Sequence, residues 1–109
     1  MANIQKIESE MTRLISVIIQ RELKDRTISF VTVTEVKVLR DLSIATVYYT
    51  VLGQDAKREA VKKALVKAKG FIRSTIAKRM QLRKVPNIVF EYDKSLDYGN
   101  KIDDLLRNL

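Results

Sequence analysis

The apolar residues near the N-terminus recur with the period of a helix. Between residues 4 and 23 they lie three or four positions apart, which places them on one face of an amphipathic helix. This stripe consists of Ile4, Ile7, Met11, Leu14, Ile15, Ile18 and Ile19. Asn3 precedes it, and an Asn side chain at that position can accept a hydrogen bond from the first helical turn. The pattern predicts a first helix that is capped by Asn3 and ends within residues 21–25.

The period then changes to two, and β-branched residues dominate. In the first run, one face is predicted to hold Ile28, Phe30, Thr32, Thr34, Val36 and Val38. A short polar turn at residues 40–43 separates it from a second run, residues 44–52. One face of the second run is predicted to hold Ala45, Val47, Tyr49 and Val51. The two runs predict strands that pair as an antiparallel hairpin.

Helical spacing returns after Gly53, with Asp55 as a candidate N-cap. An inner stripe of Val61, Ala64, Leu65 and Ala68 is followed by a second stripe of Phe71, Ile72, Ile76 and Met80. The second stripe is out of phase with the first, and Gly70 lies between them. Because Gly inside a helix costs about 1 kcal/mol relative to Ala, the pattern predicts two helices that meet at a kink at Ala68-Lys69-Gly70. Val85-Pro86 is predicted to end the second helix.

A third strand is predicted where Ile88, Phe90 and Tyr92 alternate with polar residues. Residues 95–109 contain enough apolar residues for a short closing helix, namely Leu96, Ile102, Leu105 and Leu106. The predicted order is helix, strand, strand, helix, helix, strand. Three strands with helices gathered on one face make an α+β two-layer sandwich, and 109 residues suit a single domain that includes this C-terminal tail.

Positive charge is concentrated in one quarter of the chain. Residues 57–84 carry eleven Lys or Arg and one acid, whereas the rest carries ten basic and twelve acidic residues. A solvated helical face usually mixes both signs, so this imbalance favours a polyanionic ligand. A basic helix at a membrane surface would need a broad exposed apolar face, but the inner stripe here is rich in Ala and is needed against the sheet. The distribution of charge therefore favours a nucleic acid as the ligand of this segment.

The composition argues against catalysis and against a metal or other cofactor. The chain has no Cys and no His, which removes thiolate chemistry and the usual acid–base side chain. The acids Asp93, Asp97, Asp103 and Asp104 lack the spacing of a dedicated Mg²⁺ loop. No apolar run approaches the roughly 20 residues of a membrane span. We expect a cytoplasmic protein that is not an enzyme and has no membrane partner.

Aromatic residues have two interpretations. Tyr48, Tyr49, Tyr92 and Tyr98 could stack on unpaired bases, but half-buried packing is the commoner role of Tyr in strands. Packing is therefore the favoured interpretation.

Five collinear blocks of sequence resemble the ribosome-binding factor A family, which comprises bacterial small-subunit assembly factors. The blocks cover nearly the whole chain, and together they are specific although each alone is weak. They are Val31-Thr32-Val33-Thr34-Glu35-Val36, Leu39-Arg40-Asp41-Leu42-Ser43, Ala68-Lys69-Gly70-Phe71-Ile72-Arg73, Leu82-Arg83-Lys84-Val85-Pro86 and residues 92–102. The chain departs from the family at Arg26-Thr27, where relatives often have Pro, so a different corner between helix and strand is expected.

The resemblance implies a type II KH-like domain spanning residues 1–109. In such a domain the phosphate-binding Gly-x-x-Gly loop is replaced by an Ala-x-Gly helix–kink–helix, here Ala68, Lys69 and Gly70. It also implies a monomer that binds the immature 30S subunit through 16S rRNA and supports late processing of the rRNA precursor, especially in the cold. Other assembly factors or GTPases are further candidate partners.

The candidate RNA-binding residues combine this motif with nearby bases. They are Lys63, Lys67, Ala68, Lys69, Gly70, Arg73, Arg79, Arg83 and Lys84. The competing hypothesis is a protein-interaction module whose basic face docks an acidic partner or an assembly GTPase. Salt-dependent binding to rRNA without other proteins separates the two hypotheses.

Overall fold

The computed structural model describes residues 3–52 and 56–95, with backbone only at Ala56. Two main helices and three strands follow one another as α1, β1, β2, α2 and β3. Their bounds are α1 Ile4–Val17, β1 Val31–Val38, β2 Ile44–Val51, α2 Ala56–Met80 and β3 Asn87–Tyr92. A π-helical turn, Ile18–Glu22, extends α1, and a 3-10 turn, Arg26–Ile28, precedes β1.

Helix α1 confirms the first prediction. The side chain of Asn3 accepts a hydrogen bond from the amide of Lys6 (3.3 Å), as a capping residue does. The apolar stripe faces the core, where Ile15 and Ile18 are fully buried. The widened π turn keeps both Ile18 and Ile19 buried at the end of the helix.

The corner after α1 differs from the prediction, because Arg26–Ile28 forms a 3-10 turn and β1 begins three residues later than Ile28. Asp25 caps this turn through the amide of Thr27. The corner at Arg26-Thr27 is therefore closed by a side-chain cap.

The antiparallel hairpin of β1 and β2 is confirmed, but the predicted face of β1 is wrong in its first half. The pairing shifts between Val33 and Glu35, so Thr34 is the extra residue of a β-bulge. Because one extra residue reverses the alternation, Val31 is buried before the bulge and Val36 after it. Phe30, which the alternation placed on the same face as Val36 and Val38, is 55% exposed.

Strand β3 completes a sheet of order β1-β2-β3 and runs parallel to β2. A parallel pair needs a crossover, and α2 supplies it. The inward residues of β2 and β3 are those predicted, with Ala45 and Val47 fully buried and Ile88 and Phe90 nearly so. They form one core with residues of α1 and α2, which gives the expected two-layer α+β arrangement.

Helix α2 is one continuous helix of 25 residues, so the prediction of two helices meeting at Gly70 is wrong. Its buried residues are Val61, Ala64, Leu65, Ile72 and Ile76. These positions lie on a single stripe of helical period that passes Gly70 without a change of phase. The apparent phase change arose because Phe71 was counted as an inner residue, whereas its side chain is 51% exposed.

The end of α2 also differs from the prediction. The helix stops at Met80, and Gln81 has a φ of 53°, in the left-handed region in which helices commonly terminate. Pro86 therefore does not end the helix; it lies at the end of a loop, residues 81–86, that leads into β3. Arg83 and Lys84 lie in this loop.

Some predictions fall outside the described residues. These are the capping role of Asp55, the environment of Tyr98 and the closing helix with Leu96, Ile102, Leu105 and Leu106. Within the described ranges, no helix combines the length and apolar character needed to cross a bilayer.

Candidate nucleic-acid interface

The solvent side of α2 is the centre of the candidate interface. Because Leu65 and Ile72 lie against the sheet, residues about half a turn away point outward, and these include Lys63, Lys67 and Gly70. The α2 segment carries nine Lys or Arg and one acid, Glu59. Exposed bases of this segment, among them Lys63 and Lys67, lie on the side opposite the sheet, whereas Arg58 lies over Tyr92 of β3.

Lys63 and Lys67 are two candidate bases that are available to a ligand. Both are exposed, and the described residues provide neither with a hydrogen bond or a salt bridge. They border a shallow depression of about 560 Å³ together with Lys62, Val66 and Glu59. Side chains that are not occupied by the protein can reorient toward phosphates without breaking an internal contact.

Arg73 has an internal role that the sequence did not reveal. Its Nη2 donates to the carbonyl oxygen of Val85 (2.9 Å), and its Nε donates to that of Pro86 (3.2 Å). Arg73 also borders an open groove of about 280 Å³, together with Gly70, Ser74, Ala77 and Val85. The guanidinium thus fixes the loop against α2 at the edge of the basic face.

Two further candidate bases contact segments that are distant from them in sequence. Arg79 forms a salt bridge with Glu22 at the end of the π turn. Lys84 donates from Nζ to the carbonyl oxygen of Asp41 in the hairpin turn (3.0 Å). Hydrogen bonds from Ser43 lower the pKa of Asp41, and the charge of Lys84 acts in the same direction. Arg83 is exposed in the same loop.

The predicted Ala68-Lys69-Gly70 motif lies in the middle of α2. Ala68 packs against the core, Lys69 is half-buried and Gly70 is exposed. The helix is continuous here, so no second helix begins at Gly70 and no unpaired amides are presented there. Gly70 does not adopt a positive φ, and a Cβ built on it would meet nothing within 4 Å.

The packing interpretation of the tyrosines is confirmed for two of them. Tyr49 is buried and makes edge-to-face contacts with Phe90 and Tyr92, at centroid distances of 6.4 and 5.9 Å. The guanidinium of Arg58 lies over the ring of Tyr92 at 3.9 Å. The exposed aromatic residue on α2 is instead Phe71, which the sequence pattern had assigned to the core.

Among residues 3–52 and 56–95, no three acidic side chains are grouped so that they could hold a metal ion.

Comparison with known proteins agrees with this architecture. The family model of ribosome-binding factor A matches residues 3–106. The ribosome-binding factor A of Macrococcus caseolyticus is 49% identical over 105 residues, covering 96% of this chain and 92% of the relative.

Solved structures show the same fold. The crystal structure of ribosome-binding factor A from Thermus thermophilus has a TM-score of 0.75 at 24% identity, covering 84% of this chain and 97% of that one. The solution structure of a Thermotoga maritima protein assigned as a ribosome binding factor A has a TM-score of 0.73 at 34% identity, covering 84% and 87%. A Thermus thermophilus homology model fitted into the cryo-EM map of a 30S complex has a TM-score of 0.69 at 25% identity, covering 82% and 93%. With its α-β-β-α-β order and its match over nearly the whole chain, the protein belongs to the ribosome-binding factor A family.

Proposed function

We propose that this protein is a ribosome assembly factor that binds the immature 30S subunit through 16S rRNA. It supports late maturation, including processing of the 16S rRNA precursor, by binding and without catalysis or a cofactor. It acts as a cytoplasmic monomer built from one KH-like domain, residues 1–109, and contributes to growth in the cold.

The observation that carries the proposal is the basic outer side of α2. Lys63 and Lys67 are exposed and free of internal partners among the described residues. Family membership supports the same conclusion, and a Thermus thermophilus relative has been fitted into the map of a 30S complex. Phosphates supply most of the electrostatic affinity for nucleic acid, and a face of this charge is suited to them.

Within the proposed interface the nine candidate residues have different roles. Lys63, Lys67, Lys69 and Arg83 contact phosphates directly. Arg73, Arg79 and Lys84 also hold the loop, the end of α1 and the hairpin turn in place, so their charges stand at fixed positions. Gly70 keeps the outer surface of the helix low between these charges, and Ala68 packs inward against the core beneath them.

Such a factor changes rRNA only if it binds one arrangement more tightly than another. Phosphate contacts carry no sequence information, but a rigid array of charges can select an RNA shape in which several phosphates are correctly spaced. The long helix and the loop fixed to it by Arg73 form such an array.

Competition binding tests the proposal. Labelled immature 30S subunits, bound at physiological salt, are displaced by unlabelled immature subunits, mature subunits or an unrelated RNA of equal length. We expect immature subunits to compete best. Equal displacement by all three competitors would show that the protein is a generic RNA-binding domain without preference for immature subunits.

A second arm uses protein-free precursor 16S rRNA and separates this proposal from docking to an acidic protein. Salt-sensitive binding to the naked rRNA is expected. Binding that requires ribosomal proteins or an assembly GTPase would support the protein-interaction alternative.

A further inference from the structure

Phe71 is an aromatic residue of α2 that lies outside the hydrophobic core. Its side chain is 51% exposed, although the next residue, Ile72, is fully buried. The buried stripe of α2 passes beside Phe71, so the ring is not required to fill the core. The exposed part of the Phe71 ring is therefore available to contact a ligand.

The outward neighbours of Phe71 on the helix are basic and polar. Residues three, four and seven positions apart share a helix face; the inward ones here are Ala64 and Ala68, and the others are Lys67, Ser74, Thr75 and Lys78. The hydroxyl of Thr75 donates to the carbonyl oxygen of Phe71 (2.8 Å), so it is directed at the helix backbone. The ring thus lies between two Lys residues on one flank of the basic face.

These surroundings do not resemble an apolar protein-docking site. Docking sites for apolar partners are contiguous patches of a few hundred Å². Val66, the other large exposed apolar residue of α2, is five positions from Phe71, so about 140° of helix rotation separates them. An isolated ring with cations on either side instead matches the combination of stacking platform and charged groove that binds single-stranded nucleic acid.

We propose that Phe71 stacks on an unpaired base of the precursor 16S rRNA, while Lys67 and Lys78 contact the phosphates next to that base. The proposal rests on the proposed rRNA-binding function and adds a base-stacking contact to it. Recognition of RNA commonly targets unpaired bases splayed onto aromatic rings, because paired bases are not accessible to them. The outer side of α2 then binds more tightly to RNA in which an unpaired base projects next to the phosphates.

The first test replaces the ring but keeps an apolar side chain. Phe71→Leu should weaken binding to protein-free precursor 16S rRNA by roughly 5- to 150-fold, the usual range for removal of one stacking platform. The salt slope should stay unchanged, because no charge is removed. Phe71→Tyr should bind like the original protein. Phe30→Leu is the matched control, since Phe30 is 55% exposed and also lies beside a base, with Lys57 Nζ 5.6 Å from its ring centroid, but is not on the flank that holds Phe71; it should not alter binding.

The second test uses the absence of Trp from the chain. Phe71→Trp and Phe30→Trp each create a single fluorescent reporter at a similarly exposed site. Precursor 16S rRNA should quench the Trp at position 71 strongly and protect it from acrylamide, whereas the Trp at position 30 should change little. These readouts report the environment of the ring directly and do not depend on small differences in affinity.

The outcomes separate this proposal from the function on which it rests. If the original protein does not bind precursor rRNA, the proposed function fails. If it binds but Phe71→Leu binds equally well, or the Trp at position 71 is not quenched, the stacking contact is refuted and the function stands. Quenching by whole immature subunits but not by protein-free rRNA would place a ribosomal protein on the ring and would also overturn the proposal.

Discussion

The guanidinium of Arg73 donates a hydrogen bond to the carbonyl oxygen of Val85, with 2.9 Å between Nη2 and the oxygen. A second bond from Nε reaches the carbonyl oxygen of Pro86. The pair ties the loop of residues 81–86 to α2 just before β3 begins. Because Arg83 and Lys84 lie in this loop, the two hydrogen bonds also determine where two bases of the proposed interface stand.

The first prediction concerns these hydrogen bonds. Arg73→Ala should lower the free energy of unfolding by about 1 to 2 kcal/mol, because two carbonyl oxygens lose a charged donor at a partly exposed site. Arg73→Lys should be destabilised almost as much, since a single ammonium cannot reproduce the planar fork of the guanidinium. Urea denaturation measures both variants. Lys63→Ala is the control, which should change stability by no more than about 0.5 kcal/mol; equal stability of all three variants would contradict the structural role of Arg73.

The second prediction concerns Gly70. At a kink with a strained backbone, Gly70→Ala would be destabilising, but the structure predicts the opposite. Gly70 lies in a continuous helix without a positive φ, and an added Cβ meets no atom within 4 Å. Gly70→Ala should therefore raise stability by roughly 0.5 to 1 kcal/mol, because Ala has the higher helix propensity. Thermal unfolding measures the change, with Ser74→Ala as a nearby reference on the same exposed face. A lower midpoint for Gly70→Ala would show that the backbone at this position is strained.

The third prediction concerns the charges. Lys63→Ala/Lys67→Ala should reduce the slope of log K against log salt by roughly 0.7 to 0.9 for each phosphate that the variant no longer neutralises. Folding should not change, because neither side chain has a partner in the described structure. Binding to precursor 16S rRNA over a range of salt concentrations gives the slope. Lys37→Ala, which removes a charge on β1 away from α2, is the control; an equal effect of this variant would mean that only total charge matters.

The fourth prediction concerns pH. Hydrogen bonds from Ser95 and Thr34 lower the pKa of Asp93 below its usual value of 3.8, and the bond from Thr34 Oγ1 to Asp93 Oδ2 is 2.6 Å long. Because the folded pKa is the lower one, the stabilisation is fully present above pH 3.8 and is lost as the pH falls through the folded pKa.

Asp93→Asn should therefore be less stable than the original protein at pH 7, by about 1 kcal/mol, and the difference should shrink as the pH is lowered below 3.8. Urea denaturation at pH 7 and at one pH value below 3.8 measures it. Thr34→Val removes one of the donors and should reproduce part of the destabilisation. A difference that is the same at both pH values would show that ionisation of Asp93 does not stabilise the fold.

Local patterns in the sequence predicted most of the elements. The spacing of Ile7, Met11 and Ile15 and the position of Asn3 predicted α1 and its cap, and strict alternation predicted β2 and β3. These features depend on interactions between residues a few positions apart. Five collinear blocks indicated the family, which comparison over residues 3–106 confirmed.

The sequence predictions were wrong where the same residue type can lie either in the core or on the surface. An apolar residue next to a glycine looks like part of a core, and so Phe71 suggested a break at Gly70 that α2 does not have. Likewise, alternation cannot reveal a bulge, because the extra residue at Thr34 is defined only by pairing with β2. In both cases the position of a neighbouring element decides the outcome.

The sequence by itself determined the helical and strand periods, the family and the excess of positive charge in residues 57–84. Only the tertiary structure decided which of these bases are available to a ligand. Arg79 pairs with Glu22, 57 positions away, and Arg73 holds Val85, whereas Lys63 and Lys67 have no partner among the described residues. The physical reason is that charge is a property of a residue, but its availability depends on partners that only folding brings within hydrogen-bond distance.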